Sequence, residues 1–140
     1  MRPLILIVED EVDAADVLSL VLENWGYETV VCHDGLQGYQ LAVSMLPDIV
    51  LSDYNMPHMT GLQLAHKLSQ QTQTASIPFV LMSALYELLV STVELELAAV
   101  IKKPCDLTLL KEVLAKIHVT PKARELPISV HREKSNPIKS

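Results

Sequence analysis

Features that identify several common protein classes are scarce or missing in this sequence. Only two cysteines, Cys32 and Cys105, occur among the 140 residues, and the five histidines are scattered, so no group has the spacing of a zinc site. The longest apolar runs, such as residues 4–8, are far shorter than the roughly 20 residues that span a bilayer. The sequence therefore predicts neither a thiol-ligated metal site nor a membrane span.

The first residues also lack the pattern of a secretory signal. One arginine is followed by a strand-length apolar run, with no small-residue cleavage site behind it. We therefore expect a cytoplasmic protein. Its 49% hydrophobic content is sufficient for the core of one domain of ordinary size.

Positive charge is scarce in most of the chain and is concentrated near its C-terminal end. Residues 1–118 hold 15 acidic and 6 basic side chains, a net charge of −9, whereas residues 119–140 hold 2 acidic and 5 basic ones, a net charge of +3. The acidic part should repel nucleic acid. The basic part has three prolines, little apolar periodicity and no aromatic side chain for base stacking, so we expect a flexible extension.

Short apolar segments alternate with amphipathic ones along the chain. The apolar runs predict five strands, and three- to four-residue periodicity with capping residues predicts five helices. Strand and helix in strict alternation favour an α/β fold, a doubly wound parallel sheet covered by helices on both faces. Residues 93–97 alternate at period two, which suits a strand and makes the fourth helix the least regular element. The predicted strands are 4–8, 28–32, 48–52, 78–82 and 98–102, and the predicted helices lie within 13–25, 34–46, 60–69, 85–89 and 107–117.

Ionisable and polar side chains follow the predicted strands. In open parallel sheets, ligands bind beyond the carboxyl ends of the strands, where the strand order reverses. A carboxylate beside an apolar core loses hydration that only partners or a metal can replace. We therefore expect these side chains to converge on one edge of the sheet: Glu9, Asp10 and Glu11 after the first strand, Asp53 after the third, Ser83 after the fourth and Lys103 after the fifth.

The charges at this edge favour a magnesium site. If the carboxylates of Glu9, Asp10 and Asp53 face one another, they and the Lys103 ammonium group carry a net charge of −2. Two carboxylates about 5 Å apart repel by roughly 3 kcal/mol at an effective dielectric constant near 20. A partly hydrated all-oxygen site suits Mg²⁺, which often takes a phosphate as a further ligand. A carboxylate in such a site can act as a nucleophile and form an aspartyl phosphate, while Lys103 and Ser83 stabilise the transferring oxygens.

Each of these residues also has a structural explanation when it is taken alone. Glu9 and Asp10 could be solvated acids that cap the first helix. Asp53 could be a turn residue at a strand end, and Lys103 could be one more surface lysine. His58 and His66, on or near the third helix, are expected to be surface residues.

Four motifs, in this order, resemble the receiver domain of two-component response regulators. They are "VEDE" after the first strand, "DIVLSDYNMPHMTG" around the third, "LMSA" after the fourth and "KKP" after the fifth. The resemblance covers about residues 3–118, so we predict a receiver domain at 1–118 and an extension at 119–140. It implies a flavodoxin-like (βα)5 fold with strand order 2-1-3-4-5. It also implies a phosphoprotein that is not an enzyme beyond catalysing its own phosphorylation and dephosphorylation.

The resemblance further implies how phosphate is received. Asp53 would accept a phosphoryl group from a phosphohistidine of a histidine kinase or a histidine phosphotransfer protein. Ser83 would contact the phosphoryl oxygens and Lys103 would pair with the group, with the Lys103–Pro104 bond typically cis. The downstream partner would be a protein, and neither nucleic acid nor a membrane is expected as a partner.

The resemblance implies a ligand set for the metal as well. Asp10, Asp53 and the backbone carbonyl of Asn55 would bind Mg²⁺ directly, and Glu9 would act through metal-bound water. An aspartate-nucleophile phosphatase is a different possibility for such a site, but that class needs a second acid two residues after the nucleophile. Asn55 occupies this position and cannot protonate a leaving group.

Two positions depart from the family pattern. Cys105 stands where the family usually has a phenylalanine after Lys-Pro, and Val100 stands where it usually has an aromatic residue three positions before the lysine. In receivers generally, that aromatic side chain and the hydroxyl after the fourth strand move together on phosphorylation. They alter a signalling face made of the fourth helix, fifth strand and last helix. The departures leave open a receiver-like module that docks to its partners without phosphate.

Overall fold

The computed structural model describes residues 1–84 and 97–121, in which strands and helices alternate. The predicted helix at 85–89 and most of the alternating segment at 93–97 lie outside the described residues. The elements are β1 (Leu4–Val8), α1 (Val12–Asn24), β2 (Glu28–Cys32), α2 (Gly35–Met45), β3 (Ile49–Asp53), α3 (Gly61–Ser69), β4 (Phe79–Ser83), β5 (Ala99–Lys102) and α4 (Leu107–Lys116).

The strands form one parallel sheet in the order β2-β1-β3-β4-β5. This order confirms the flavodoxin-like, doubly wound fold. The chain moves from β1 outward to β2 and then returns to the other side of β1 to form β3. The order therefore reverses between β1 and β3, and the crevice at their carboxyl ends is the place where such sheets bind ligands.

Two hydrophobic clusters cover the two faces of the sheet. One packs β-strand side chains such as Leu6 against α2 and α3, and the other packs side chains such as Ile7 against α1 and α4. Every residue of β1, β3 and β4 is buried. Burial on both faces explains why these strands are continuous apolar runs in the sequence instead of alternating ones.

Several helix ends carry side-chain caps or a glycine. The side chains of Asp34 and Asp106 accept hydrogen bonds from first-turn backbone N–H groups of α2 and α4. Thr60 and Gln63 form a reciprocal capping box at the start of α3. Gly26, just beyond α1, has a φ of 101°, which only glycine adopts without strain. Within the described residues, no helix is long and apolar enough to cross a membrane.

The two cysteines are free thiols near opposite edges of the sheet. Cys32 ends the edge strand β2 and is 2% exposed. Its burial, together with the nearby charge of Asp34, raises the pKa of its thiol to about 12. Burial also raises the pKa of Cys105, but this side chain is only partly buried.

This difference predicts unequal thiol reactivity. Iodoacetamide at pH 8 should modify Cys105 at least roughly tenfold faster than Cys32, because the Cys32 thiol is buried and almost wholly protonated. Mass spectrometry of the native protein over time would follow both reactions. A Cys105→Ser variant should lose the fast reaction, and both thiols should react at similar rates in urea. Equal rates in the native protein would contradict the described burial of Cys32.

Candidate functional site

The carboxyl ends of β1 and β3 bring the predicted acids together. Carboxylate oxygens of Glu9, Asp10 and Asp53 all lie within 4.8 Å of one another. Glu9 directly follows β1, and Asp53 is the last residue of β3. The two strands are paired so that Val8 lies opposite Ser52, and the residues that follow each of them meet at the same edge.

The three acids differ in exposure. Glu9 is 2% exposed and Asp53 is 4% exposed, whereas Asp10 faces solvent. Glu9 is therefore not a solvated capping acid. The N-cap of α1 is Glu11, and its side chain makes no capping hydrogen bond. Instead, Oε2 of Glu9 accepts a hydrogen bond of 3.2 Å from the backbone N–H of Glu11.

Lys103 supplies the positive charge of the site. Its Nζ lies 3.0 Å from Oδ1 of Asp53 and 3.3 Å from Oε1 of Glu9. Its backbone N–H donates to the carbonyl of Ser83 at 2.9 Å, which holds the residue against the end of β4. The Lys103–Pro104 peptide is cis, as the resemblance implies. Lys103 is thus part of the acidic site and not a surface lysine.

Burial and charge shift the ionisation of two members of the site. Burial, reinforced by the charge of Asp53, raises the pKa of Glu9, although the Glu11 N–H and Lys103 act in the opposite direction. Burial alone would lower the pKa of Lys103, but the hydrogen bond and charge of Asp53, and then those of Glu9, outweigh it and raise the pKa. Lys103 therefore stays protonated at neutral pH. One ammonium group faces three carboxyl groups.

This donor set fits a hard divalent cation. Among residues 1–84 and 97–121, the grouped donors are carboxylate oxygens, and Lys103 alone leaves them with excess negative charge when they are ionised. Asp10 is on the exposed side, where an ion could keep several waters, as Mg²⁺ does. Asn55, whose carbonyl is a predicted ligand, lies in the exposed part of the loop after β3.

Ser83 is placed at the same edge. It is the last residue of β4, is 1% exposed, and lies opposite Lys102 in β5. Since β4 lies between β3 and β5, Ser83 ends a strand flanked by those that lead to Asp53 and Lys103. His58 and His66 are both exposed and are not part of the acidic group, as expected.

Two residues that the sequence did not assign to the site contact its backbone. Gly61, the first residue of α3, donates its N–H to the carbonyl of Tyr54 at 2.8 Å. A Cβ atom at Gly61 would collide with the backbone oxygen of Asp53. His33, after β2, places Nδ1 2.9 Å from the carbonyl oxygen of Glu9. The sequence showed Gly61 only as a helix start, and no sequence pattern pointed to His33.

Comparisons with known sequences agree with this geometry. Residues 5–115 match the response regulator receiver domain family. The chain is 35% identical over 83 residues to the DNA-binding dual master transcriptional regulator RpaA of Synechocystis, which is 59% of this chain and 34% of that protein. It is 32% identical over 80 residues to the phosphate regulon transcriptional regulatory protein PhoB of Pseudomonas aeruginosa, which is 57% of this chain and 35% of that protein. The matches thus span about a third of these curated relatives.

Solved structures share the fold. The signal receiver domain of a signal transduction histidine kinase from Syntrophus aciditrophicus has a TM-score of 0.75 at 30% identity, over 90% of this chain and 100% of that one. A sensor protein from Polaromonas has a TM-score of 0.77 at 29% identity, over 83% and 95% of the two chains. The chemotaxis response regulator CheY4 of Vibrio cholerae has a TM-score of 0.74 over 81% and 99%, and at 24% identity it bears on the fold alone.

Proposed function

Because this chain belongs to the response regulator receiver domain family, we propose that it signals by accepting a phosphoryl group on Asp53 in a Mg²⁺-dependent reaction. The observation that carries the proposal is the environment of Asp53. This carboxylate is 4% exposed at the end of the central strand, is paired with Lys103 at 3.0 Å, and is grouped with two further acids. Buried acids gathered at one edge, with a single counter-ion, are typical of a functional site.

Direct ligands of Mg²⁺ in this proposal are the carboxylates of Asp10 and Asp53 and the backbone carbonyl of Asn55. Glu9 would contact the ion through a metal-bound water. When bound, the ion supplies positive charge that neutralises phosphoryl oxygens. Lys103 holds Oδ1 of Asp53 and so orients the carboxylate.

In the proposed reaction, a carboxylate oxygen of Asp53 attacks the phosphorus of a phosphohistidine. The new oxygen–phosphorus bond forms as the nitrogen–phosphorus bond breaks, and the histidine ring, which carries a proton on its other nitrogen, leaves with the electron pair of that bond as a neutral imidazole. The ammonium group of Lys103 and the hydroxyl group of Ser83 then donate hydrogen bonds to the phosphoryl oxygens. These roles need no general acid from Asn55, since imidazole is the leaving group.

The proposed phosphodonor is a histidine kinase or a histidine phosphotransfer protein, and the proposed downstream partner is a protein. We propose that residues 1–118 are the receiver unit in the cytoplasm and that residues 119–140 are a flexible basic extension. DNA binding is part of the name of RpaA, and the match covers 34% of that protein. The net charge of −9 on residues 1–118 argues against nucleic acid as a partner of this part.

The test is the intact mass of the protein after incubation with Mg²⁺ and acetyl phosphate. Wild type should gain about 80 Da, the mass of one phosphoryl group, and Asp53→Asn should gain none. Asp48→Asn is a matched control, because Asp48 is also buried but lies at the opposite end of β3, where it accepts a hydrogen bond from the Leu4 N–H. A chelator should abolish the gain. The same gain in Asp53→Asn would refute the assignment.

A second function is favoured by a specific observation. Neither Val100 nor Cys105 is aromatic. Val100 is partly buried against the core and lies opposite Leu81, and Cys105 is partly buried on the other face of the sheet. A module of this kind could dock to its partners without a phosphate-driven switch. Absence of any mass gain in folded wild type, with Mg²⁺ and acetyl phosphate present, would favour this function over phosphoryl transfer.

A further inference from the structure

His33 contacts the acidic site from the loop between β2 and α2. Its Nδ1 lies 2.9 Å from the backbone carbonyl oxygen of Glu9. A carbonyl oxygen can only accept a hydrogen bond, so Nδ1 must carry the proton. The contact therefore selects one tautomer of the neutral ring, the one with the proton on Nδ1.

The segment that carries the ring is hydrogen-bonded to α2. His33 and Asp34 are the only residues between the end of β2 and the first residue of α2. The backbone N–H of His33 donates to Oε1 of Gln37 at 3.3 Å, and Asp34 caps α2 through the backbone N–H of Gln37 at 2.8 Å. This contact holds the backbone of His33 beside the end of β1, where its imidazole reaches the Glu9 carbonyl.

The main chain of Glu9 is held on both sides by this segment. Its N–H donates to the carbonyl of Cys32 at 3.0 Å, and its own carbonyl accepts from His33. The regular pairing of β1 with β2 ends where Val8 lies opposite Cys32. His33 thus adds a side-chain hydrogen bond just beyond the last paired residues of the two strands.

The Glu9 carbonyl is one of the atoms of the planar Glu9–Asp10 peptide, so holding it restricts the rotation of the whole plane. Asp10 is exposed, and its carboxylate must stay within 4.8 Å of those of Glu9 and Asp53 to complete the acidic group. A turn of that peptide would carry the Asp10 carboxylate away from the other two.

We propose that His33 is a positioning residue of the metal site, which orients Asp10 through the Glu9–Asp10 peptide. The inference rests on the proposed function, in which Asp10 is a direct ligand of Mg²⁺. The hydrogen-bond donor at Nδ1 is the feature that matters, and not the charge of the ring.

Isothermal titration calorimetry with Mg²⁺ alone would test this role in folded protein. His33→Ala should weaken Mg²⁺ binding on the order of tenfold, the usual scale for residues that orient metal ligands. His33→Asn should retain wild-type affinity to within about twofold, because its amide nitrogen can take the place of Nδ1. His66→Ala, on the exposed surface of α3, is the matched control and should leave the affinity unchanged.

The outcomes separate this inference from the proposed function. Wild-type protein that binds no Mg²⁺ would overturn the proposed metal site itself. Unchanged affinity in His33→Ala, or equal loss in His33→Ala and His33→Asn, would overturn the positioning role while leaving the metal site in place. If His33→Ala fails to fold, long-range ¹H–¹⁵N spectra of the neutral ring in metal-free wild type still decide. A proton on Nδ1 is expected, and a proton on Nε2 would overturn the inference.

Discussion

Gly61→Ala should lower the free energy of unfolding by about 3 kcal/mol, a large cost for one added methyl group. The new Cβ atom would collide with the backbone oxygen of Asp53 and lie 2.6 Å from Cδ1 of Leu81. Neither neighbour can move away easily. Asp53 ends the central strand, and Leu81 is completely buried in the neighbouring strand. The start of α3 would have to shift away from the strand that carries Asp53.

Gly35→Ala is the matched control for this prediction. Gly35 and Gly61 each begin a helix directly after a side-chain cap. The atoms nearest to a Cβ at Gly35 would be Cβ, Cγ and Sδ of Met59, at 2.8 to 3.0 Å, in a loop that is partly exposed. We expect a cost of about 1 kcal/mol there. Urea unfolding of both variants measures the difference, and an equal cost at the two glycines would contradict the described packing beneath Asp53.

Asp10→Asn should remove nearly all of the stabilisation that Mg²⁺ gives to the fold. At a free Mg²⁺ concentration of about 100 times the dissociation constant, wild type should gain about 2.7 kcal/mol. Loss of a direct carboxylate ligand should weaken binding on the order of a hundredfold, so that less than about 0.5 kcal/mol remains at the same concentration. Glu9→Gln should lose less, because Glu9 is proposed to act through water.

Without metal, Asp10→Asn should raise the stability of the fold. Asp10→Asn removes one of three neighbouring carboxylates, which relieves repulsion and should raise the melting temperature of the metal-free protein. Asp13→Asn is a control in the first turn of α1, outside the acidic group, and should keep the wild-type response to Mg²⁺. Thermal unfolding with and without Mg²⁺ measures both effects. A wild-type response to Mg²⁺ in Asp10→Asn would exclude this residue as a direct ligand.

The sequence predicted the strands well because their apolar runs have sharp ends. The bounds of β1 and β2 agree to the residue, whereas β3, β4 and β5 each begin one residue later than predicted, and β3 and β4 also end one residue later. At the starts of β3 and β4, the first residue of the predicted run is an aspartate or a proline, residue types that are rare inside strands. The Asp48 side chain accepts a hydrogen bond from the Leu4 N–H, and Pro78 has no N–H to give to a ladder. At their other ends, β3 and β4 each run one residue further than predicted, so Asp53 and Ser83 are the last residues of their strands.

Convergence of the acids and Lys103 was predictable because parallel strands end at a common edge. The contacts of Gly61 and His33 were not, since they depend on how two loops fold back over that edge. Leu107 shows the same limit at a helix end. Its spacing placed it on the apolar face of α4, but it is 41% exposed, unlike Leu110 and Leu114 on the same face. Periodicity fixes the direction of a side chain but not whether anything lies beneath it.

The ion pairs of Lys103 have a consequence for synthesis on the ribosome. Lys103 and Glu9 lie 94 positions apart in the chain, so their contact forms only after the last strand has joined the sheet. A nascent chain that stops before β5 would hold Glu9 and Asp53 together without their counter-ion, an arrangement that burial makes unfavourable. Completion of the acidic site is therefore tied to completion of the fold. A chain that lacks β5 would also lack Lys103 and could not form the site that is proposed to receive the phosphoryl group.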